Sequence, residues 1–256
     1  MNTPRQPTEQ RLDLPFGHIV PNWPVPSNVR ALISTRRGGF SRAPFDGFNL
    51  GAHVNDDPEH VAANRALLAQ AVPSVPVWLE QTHGTTIVDA GVPVEAPPRA
   101  DGAIAIRPRI VCAVLTADCL PVLLADSSGT AVGIAHAGWR GLAGGVVEAA
   151  VAAMRVSPER VIAYLGPAIS GAEYEVGAEV RESFVGQSAS ADAAFMPRSG
   201  GKYLCNLYAL ARMRLAAVGV KQVFGGGYCV YRDRARFFSY RRERVTGRMA
   251  SLIWMR

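Results

Sequence analysis

Val111-Cys112-Ala113-Val114-Leu115-Thr116-Ala117-Asp118-Cys119-Leu120-Pro121-Val122-Leu123-Leu124 comes nearest in this chain to a continuous apolar run. A membrane helix needs roughly 18 or more such residues, and Asp118 and Pro121 interrupt this one. Two buried strands, over residues 110–115 and 122–124, explain it better. Working outward, Asp126-Ser127-Ser128-Gly129 is a turn into a strand over 131–135. That strand runs into His136-Ala137-Gly138-Trp139-Arg140-Gly141. From Gly138 to about residue 154 the chain reads as one helix, with Leu142, Val146, Val147, Ala150 and Met154 at apolar spacing. A hairpin of residues 111–119 with 131–136 would bring Cys119 and His136 to one end of a sheet.

The flanks continue the pattern. Residues 29–35 read as a strand closed by the turn Arg36-Arg37-Gly38-Gly39. Asp57-Pro58 caps and opens a helix to about residue 70, with Val61, Leu68 and Ala71 on one face. Short strands are expected over 77–81, 85–88, 103–106, 161–165, 222–224, 237–240 and 251–254. Helices are expected over 177–184 and 206–218, the second capped by Asn206 and stopped by Gly219. Residues 186–201 look like the longest interior loop. Strands arrive in runs and helices are scattered, which is an α+β pattern. No linker or repeat divides it, so the expected organisation is an extended lead-in over residues 1–25 and one catalytic domain over 26–256.

Of the 256 residues, 48% are hydrophobic and 19% charged, enough apolar material for a core and unlike a disordered chain. The net charge of +6 includes an arginine cluster from Arg232 to Arg248. No nucleic-acid motif accompanies it, so a solvated surface, with an arginine or two beside a small anionic substrate, explains it better than a nucleic-acid partner. Residues 1–15 lack an apolar segment of signal-peptide type. Four cysteines without CxxC spacing fit a reducing compartment. A cytoplasmic location with no membrane partner is therefore expected, with Cys112 and Cys205 as inert core thiols.

The chemistry gathers on Cys119 and His136, with His83 in Gln81-Thr82-His83-Gly84 as a third candidate. One thiolate and two imidazoles make the ligand set of a catalytic zinc whose fourth position takes water or substrate. Two other readings use the same residues: a buried structural thiol beside a turn histidine, or a Cys-His hydrolase with Cys119 as nucleophile and His136 as base. Asp118 either orients a ligand histidine or caps a turn. His53 follows the turn Asn49-Leu50-Gly51 and could approach the site. The P-loop, dinucleotide-binding, zincin and serine-hydrolase motifs are all absent.

Taken with Thr35–Gly39, Asn49–Gly51, Ala100-Asp101-Gly102, Leu165-Gly166-Pro167, Tyr174–Gly177 and Phe237–Arg242, these stretches resemble the bacterial laccase-domain family. Its members are also described as purine nucleoside phosphorylases, copper polyphenol oxidases and relatives of peptidoglycan-editing factors. The resemblance spans residues of about 35–250. It implies a four-layer α/β/β/α fold around a central β-sandwich of mixed sheets, and metal ligands at His83, Cys119 and His136, which would also be the catalytic residues. One departure is Cys229-Val230 where the family tends to have Cys-Thr, which removes any contact of a threonine hydroxyl.

The resemblance implies three activities. The first is phosphorolysis of adenosine, inosine, guanosine and methylthioadenosine to base and pentose 1-phosphate, with adenosine deamination alongside. The others are copper-dependent phenol oxidation and editing of peptidoglycan precursors. A multicopper oxidase needs many histidines, and the chain has five. The preferred expectation is a zinc-dependent purine nucleoside phosphorylase, with copper able to enter the same ligands. A zinc there would bring the pKa of water to roughly 7, which suits attack on C6 of adenosine. Arg37, Arg241 and Arg242 are candidates for phosphate, and Asn49 and Gln81 for sugar or base. The expected partners are nucleoside and phosphate alone, in a monomer or dimer.

Overall fold

The computed structural model describes residues 14–256. The first part of the expected lead-in, residues 1–13, lies outside the described residues. In chain order the strands are β1 (His18–Ile19), β2 (Val29–Ser34), β3 (Ile87–Asp89), β4 (Gly102–Ala105), β5 (Cys112–Thr116), β6 (Leu120–Asp126), β7 (Val132–Ala137), β8 (Val161–Leu165), β9 (Glu175–Val176), β10 (Phe195–Pro197), β11 (Tyr203–Cys205), β12 (Gln222–Gly225) and β13 (Met249–Met255). The helices are α1 (Pro58–Ala69), α2 (Trp139–Gly144), α3 (Val146–Ala153), α4 (Ala178–Val185), α5 (Leu207–Ala217) and α6 (Tyr240–Glu243).

Two main sheets result, ordered β1-β2-β13-β5 and β12-β8-β6-β7-β4-β3, with a small sheet β10-β11-β9 beside them. The larger sheet is mixed: β12–β8 and β3–β4 are parallel, and the pairs between are antiparallel. Side chains alternate across each strand, and that alternation sorts the core into layers. Ala31, Ile33, Val114 and Ile253 of the first sheet meet Leu123, Ile134, Ile162 and Tyr164 of the second. The opposite face of the larger sheet, Val122, Leu124, Ala135 and Ala163, packs on α3 and α5 through Val147, Ala150, Leu210 and Leu215. The opposite face of the smaller sheet, Leu32, Ala113, Leu252 and Trp254, packs on Phe48, Leu50 and Leu68 of α1. The order of layers is α/β/β/α. Nearly every strand residue of the centre is apolar because both faces of each sheet are covered.

The Asp57 cap of α1 is present: its side chain accepts from the Glu59 amide at 2.9 Å, with Pro58 in the first turn. The buried face adds Asn64 to Val61 and Leu68. Asn64 Nδ2 donates to Asn49 O at 2.9 Å, and its Oδ1 accepts from Phe40 N at 2.8 Å, tying α1 to the preceding loop. Asn206 likewise caps α5, accepting from Ala209 N at 3.1 Å.

Five expectations are corrected. The hairpin joins β6 to β7, while β5 crosses into the other sheet beside β13. The crossing uses Asp118, whose φ of 102° turns the chain between sheets. The helix expected over 138–154 is two helices, broken where Gly145 takes φ 99°. Residues 237–240 are not a strand, because Ser239 accepts from Arg242 N and starts α6 instead. Residues 186–201 hold β10 between two short 3₁₀ turns. Residues 77–81, expected as a strand, make isolated bridges at Val77 and Glu80. No helix of the described residues is long and apolar enough to cross a membrane.

Leu123 is fully buried between the two main sheets. Leu123→Ala removes that contact and leaves a cavity, so it is expected to cost about 2–5 kcal/mol. A urea titration showing a lower midpoint at unchanged slope is the expected result.

Candidate metal centre

The site is assembled at one end of the larger sheet by three neighbouring strands. Asp101 directly precedes β4, His136 lies near the end of β7, and Cys119 directly precedes β6. Register does the placing. Gly102 faces Ala135 across β4–β7, Leu120 faces Ala137 across β6–β7, and His136 N donates to Asp101 O at 2.7 Å. The fourth participant, the turn Thr82-His83-Gly84, lies before β3.

Asp101 is fully buried and its carboxylate accepts five hydrogen bonds. Oδ2 takes the Thr82 amide and hydroxyl, both at 3.0 Å, and the Gly84 amide at 2.7 Å. Oδ1 takes the His83 amide at 2.9 Å and His136 Nδ1 at 2.8 Å. Three successive amides pointing into one anion form a nest, and His83 reaches it by adopting φ 61°. Burial alone would raise the Asp101 pKa. The His136 hydrogen bond and the Gly84 and Thr82 amides outweigh it, bringing Asp101 down to about 2. An ionised carboxylate only accepts, so Nδ1 of His136 carries a proton and Nε2 is the nitrogen left to face a metal.

The outward donors converge. Ligand atoms of His83, Cys119 and His136 all lie within 4.8 Å of one another. Cys119 Sγ is 3.8 Å from His83 Nε2, and the two imidazoles meet edge to face with centroids 4.7 Å apart. His136 is buried, Cys119 half-buried and His83 exposed, so the group opens to solvent on the His83 side. Burial would push the Cys119 thiol up; the charge and hydrogen bonds of His136 and then His83 outweigh it and bring it down to about 6. Burial would lower His136, but Cys119 and Asp101 hold it above the ordinary imidazole range. A thiol held toward thiolate between two rings, one oriented by a carboxylate, suits a divalent metal with three protein ligands. This group can hold a metal ion. Among the described residues no second group of three His, Cys, Asp or Glu side chains gathers this way.

Gly138, between His136 and α2, makes room. A Cβ there would stand 2.9 Å from His83 Cδ2 and 3.0 Å from Cys119 Sγ. Its φ of −65° suits any residue, so the demand for glycine is steric. Asp118 caps a turn rather than orienting a histidine. Its Oδ1 accepts the Ser239 hydroxyl and its Oδ2 the Arg241 amide, both at 2.6 Å. Asp101, which sequence reasoning did not single out, orients His136 instead. Its signal was an aspartate before a glycine at a strand start, a pattern too common to stand out.

The substrate-binding candidates are dispersed. Gln81 donates to Leu115 O at 2.9 Å and accepts from Leu115 N at 2.7 Å, holding the histidine turn against β5. Asn49 is fully buried, with Oδ1 accepting the Gly51 and Arg248 amides. Arg242 donates to the carbonyls of Val230, Tyr231 and Phe237. Arg241 donates from Nη1 to Glu175 O at 2.8 Å and lies over the Tyr174 ring. Arg37 borders a separate open groove with Arg36, Asp46, Arg234 and Glu243, and donates to Ala235 O at 3.1 Å. None of the three candidate ligands lines that groove. Cys112 and Cys205 are buried, and burial raises both thiols.

A family model described as "Multi-copper polyphenol oxidoreductase laccase" matches residues 30–256. The purine nucleoside phosphorylase YfiH of Escherichia coli K12 is 53% identical over 239 residues, covering 93% of this chain and 98% of the relative. The purine nucleoside phosphorylase of Haemophilus influenzae is 46% identical over 243 residues, 92% of this chain and 98% of the relative. A crystal structure of a Neisseria meningitidis protein superposes with TM-score 0.91 at 48% identity, covering 93% of this chain and 99% of that one. YlmD of Geobacillus stearothermophilus gives TM-score 0.84 at 31% identity, covering 94% and 96%.

Two substitutions test the geometry through metal content. Gly138→Ala is expected to keep the fold by circular dichroism while lowering the divalent metal the protein retains, since the new methyl displaces the His83 ring. Asp101→Asn is expected to weaken metal binding about 10–100-fold in a chelator competition.

Proposed function

The chain belongs to the multi-copper polyphenol oxidoreductase laccase family, and from this premise we propose that it is a zinc-dependent purine nucleoside phosphorylase. The reading is supported by one observation above all: donor atoms of His83, Cys119 and His136 within 4.8 Å of one another, on a chain 53% identical to a relative of that name. The substrates are adenosine, inosine, guanosine and methylthioadenosine, with deamination of adenosine as a side activity. The location proposed is the cytoplasm, and residues 26–256 act as the catalytic domain.

In phosphorolysis a phosphate oxygen bonds to the anomeric carbon while the bond to the purine nitrogen breaks. The purine leaves with a proton, and pentose 1-phosphate remains. The metal, held by His83, Cys119 and His136, would supply Lewis acidity toward a coordinated oxygen. The chain's own part is preorganisation. Asp101 keeps the His136 proton on Nδ1, the nest fixes the His83 turn, and the Cys119 charge balances the cation. Gly138 leaves the open side clear for a planar base or sugar.

Two alternatives remain on the same residues. The lowered Cys119 thiol supports a Cys-His hydrolase acting on peptidoglycan precursors. Copper at the same donors would support phenol oxidation, because copper binds N/S sites more tightly than zinc. Five histidines are too few for the multicopper arrangement.

His83→Ala, Cys119→Ala and His136→Ala are each expected to abolish phosphate-dependent release of base from inosine or adenosine. A chelator should remove activity and zinc restore it. Full activity in Cys119→Ala would sink the metal reading. Inactivation by an alkylating agent irrespective of metal, with no dependence on phosphate, would favour the hydrolase.

A further inference from the structure

The loop of residues 49–53 is clamped between two arginines. From α1, Arg65 Nε donates to Leu50 O at 3.0 Å, and its guanidinium lies 4.3 Å over the Trp78 ring. From the residue just before β13, Arg248 N donates to Asn49 Oδ1 at 2.8 Å. The Arg248 side chain lies across Gly51, where a Cβ would come within 2.7 Å of its Cγ. Gly51 is therefore small so that Arg248 can pass over it. Two residues on, His53 stands exposed at the loop's end.

Both guanidinium groups are half-buried and incompletely satisfied. Arg248 Nη1 donates to Thr246 O and Gly247 O at 2.9 and 3.0 Å, while its Nε and Nη2 have no partner among the described residues. Both Nη atoms of Arg65 are equally without one. No carboxylate of the described residues lies within ion-pair distance of either, although Arg36, Arg160 and Arg242 each have one. Burial lowers the pKa of both arginines, and Cys119 and Asp118 are among the charges that Arg248 feels. Although much of its surface is exposed, partial burial of the His53 ring, and then the charges of Arg248, Arg65 and His136, hold its pKa below the ordinary imidazole range. The other groups near Arg248 are committed or neutral: Asp118 accepts from Ser239 and Arg241, and Tyr240 is a phenol.

The free donors of Arg65 and Arg248 are not fully buried, so an anion from solvent can reach them. Free guanidinium donors in a fork match a tetrahedral oxyanion. We infer that Arg65, Arg248 and His53 form an oxyanion subsite beside the His83–Cys119–His136 group, and that it seats inorganic phosphate as co-substrate. The assignment rests on the phosphorylase reading for the identity of the anion. A phosphate ester carried on a nucleotide would present the same chemistry, and its binding is measured separately.

The experiment titrates inorganic phosphate, and in parallel adenosine 5′-monophosphate, into the zinc-loaded protein by calorimetry. Wild type is compared with Arg65→Gln, Arg248→Gln and His53→Ala. Phosphate affinity should fall about tenfold or more in each arginine variant and less in His53→Ala. The KM for phosphate should rise in step while the KM for inosine holds. Unchanged phosphate affinity in folded Arg65→Gln and Arg248→Gln overturns the subsite, because the anion would then ride on the metal alone. So does a loss confined to the nucleotide. Should Arg248→Gln fail to fold, Arg65→Gln and the exposed His53→Ala decide by the same criteria. If wild type binds phosphate, the arginine variants lose it, and no nucleoside is cleaved, the subsite is supported and the phosphorylase reading falls.

Discussion

The carboxylate of Asp101 is the constraint from which the centre follows. It is buried, so it must be compensated, and three consecutive amides, one hydroxyl and one imidazole converge on it. Charge-assisted hydrogen bonds of this kind are about twice as strong as neutral ones. They outweigh the left-handed conformation of His83, which costs roughly 1–2 kcal/mol. One carboxylate thereby fixes the backbone under one ligand histidine and the tautomer of the other. Removing it would leave three amides and a ring nitrogen without partners at once.

The sandwich supplies the rigidity this arrangement needs. β4, β7 and β6 are adjacent in one sheet, and each delivers one group at the same end. Both faces of that sheet are packed, by the second sheet on one side and by α3 and α5 on the other. Side chains at strand ends therefore move little, and the ligand atoms stay near one another. Asp118 serves the same end from outside the sheet. Its turn aims Cys119 at the histidines, and its carboxylate anchors α6, which carries Arg241.

Around this frame the charges are unevenly compensated. Much of the arginine cluster near the C-terminal end is neutralised locally, with Arg232 on Glu173, Arg236 on Asp233 and Arg242 on Glu243. That pairing accounts for a basic stretch without a nucleic-acid motif. Arg65 and Arg248 differ from those three in having no such carboxylate among the described residues, and both lie against the loop of residues 49–53. The loop between them is shaped by Asn49 and Gly51, residues whose part is to hold backbone and give way to a side chain.

Much of this was legible locally. The Asp57-Pro58 start, the Asn206 cap and the buried character of residues 111–124 follow from side chains acting on their own backbone, so they read directly from order. The chemical identity of the ligands was legible too, since a cysteine and two histidines in small-residue turns name the donors. Strand partners were not: alternation assigns a face, not a neighbour, so β5 was paired with β7 when it belongs beside β13. Gly145 looked like an ordinary helical residue because its left-handed φ answers to packing. For the same reason the order of residues leaves Asp118 open between turn cap and histidine partner, and gives Asp101 no role at all. Sequence by itself determined the composition of the centre and the elements that carry it. Only the tertiary structure decided which carboxylate faces which ring, because that choice is made by desolvation and hydrogen-bond geometry between segments far apart in the chain.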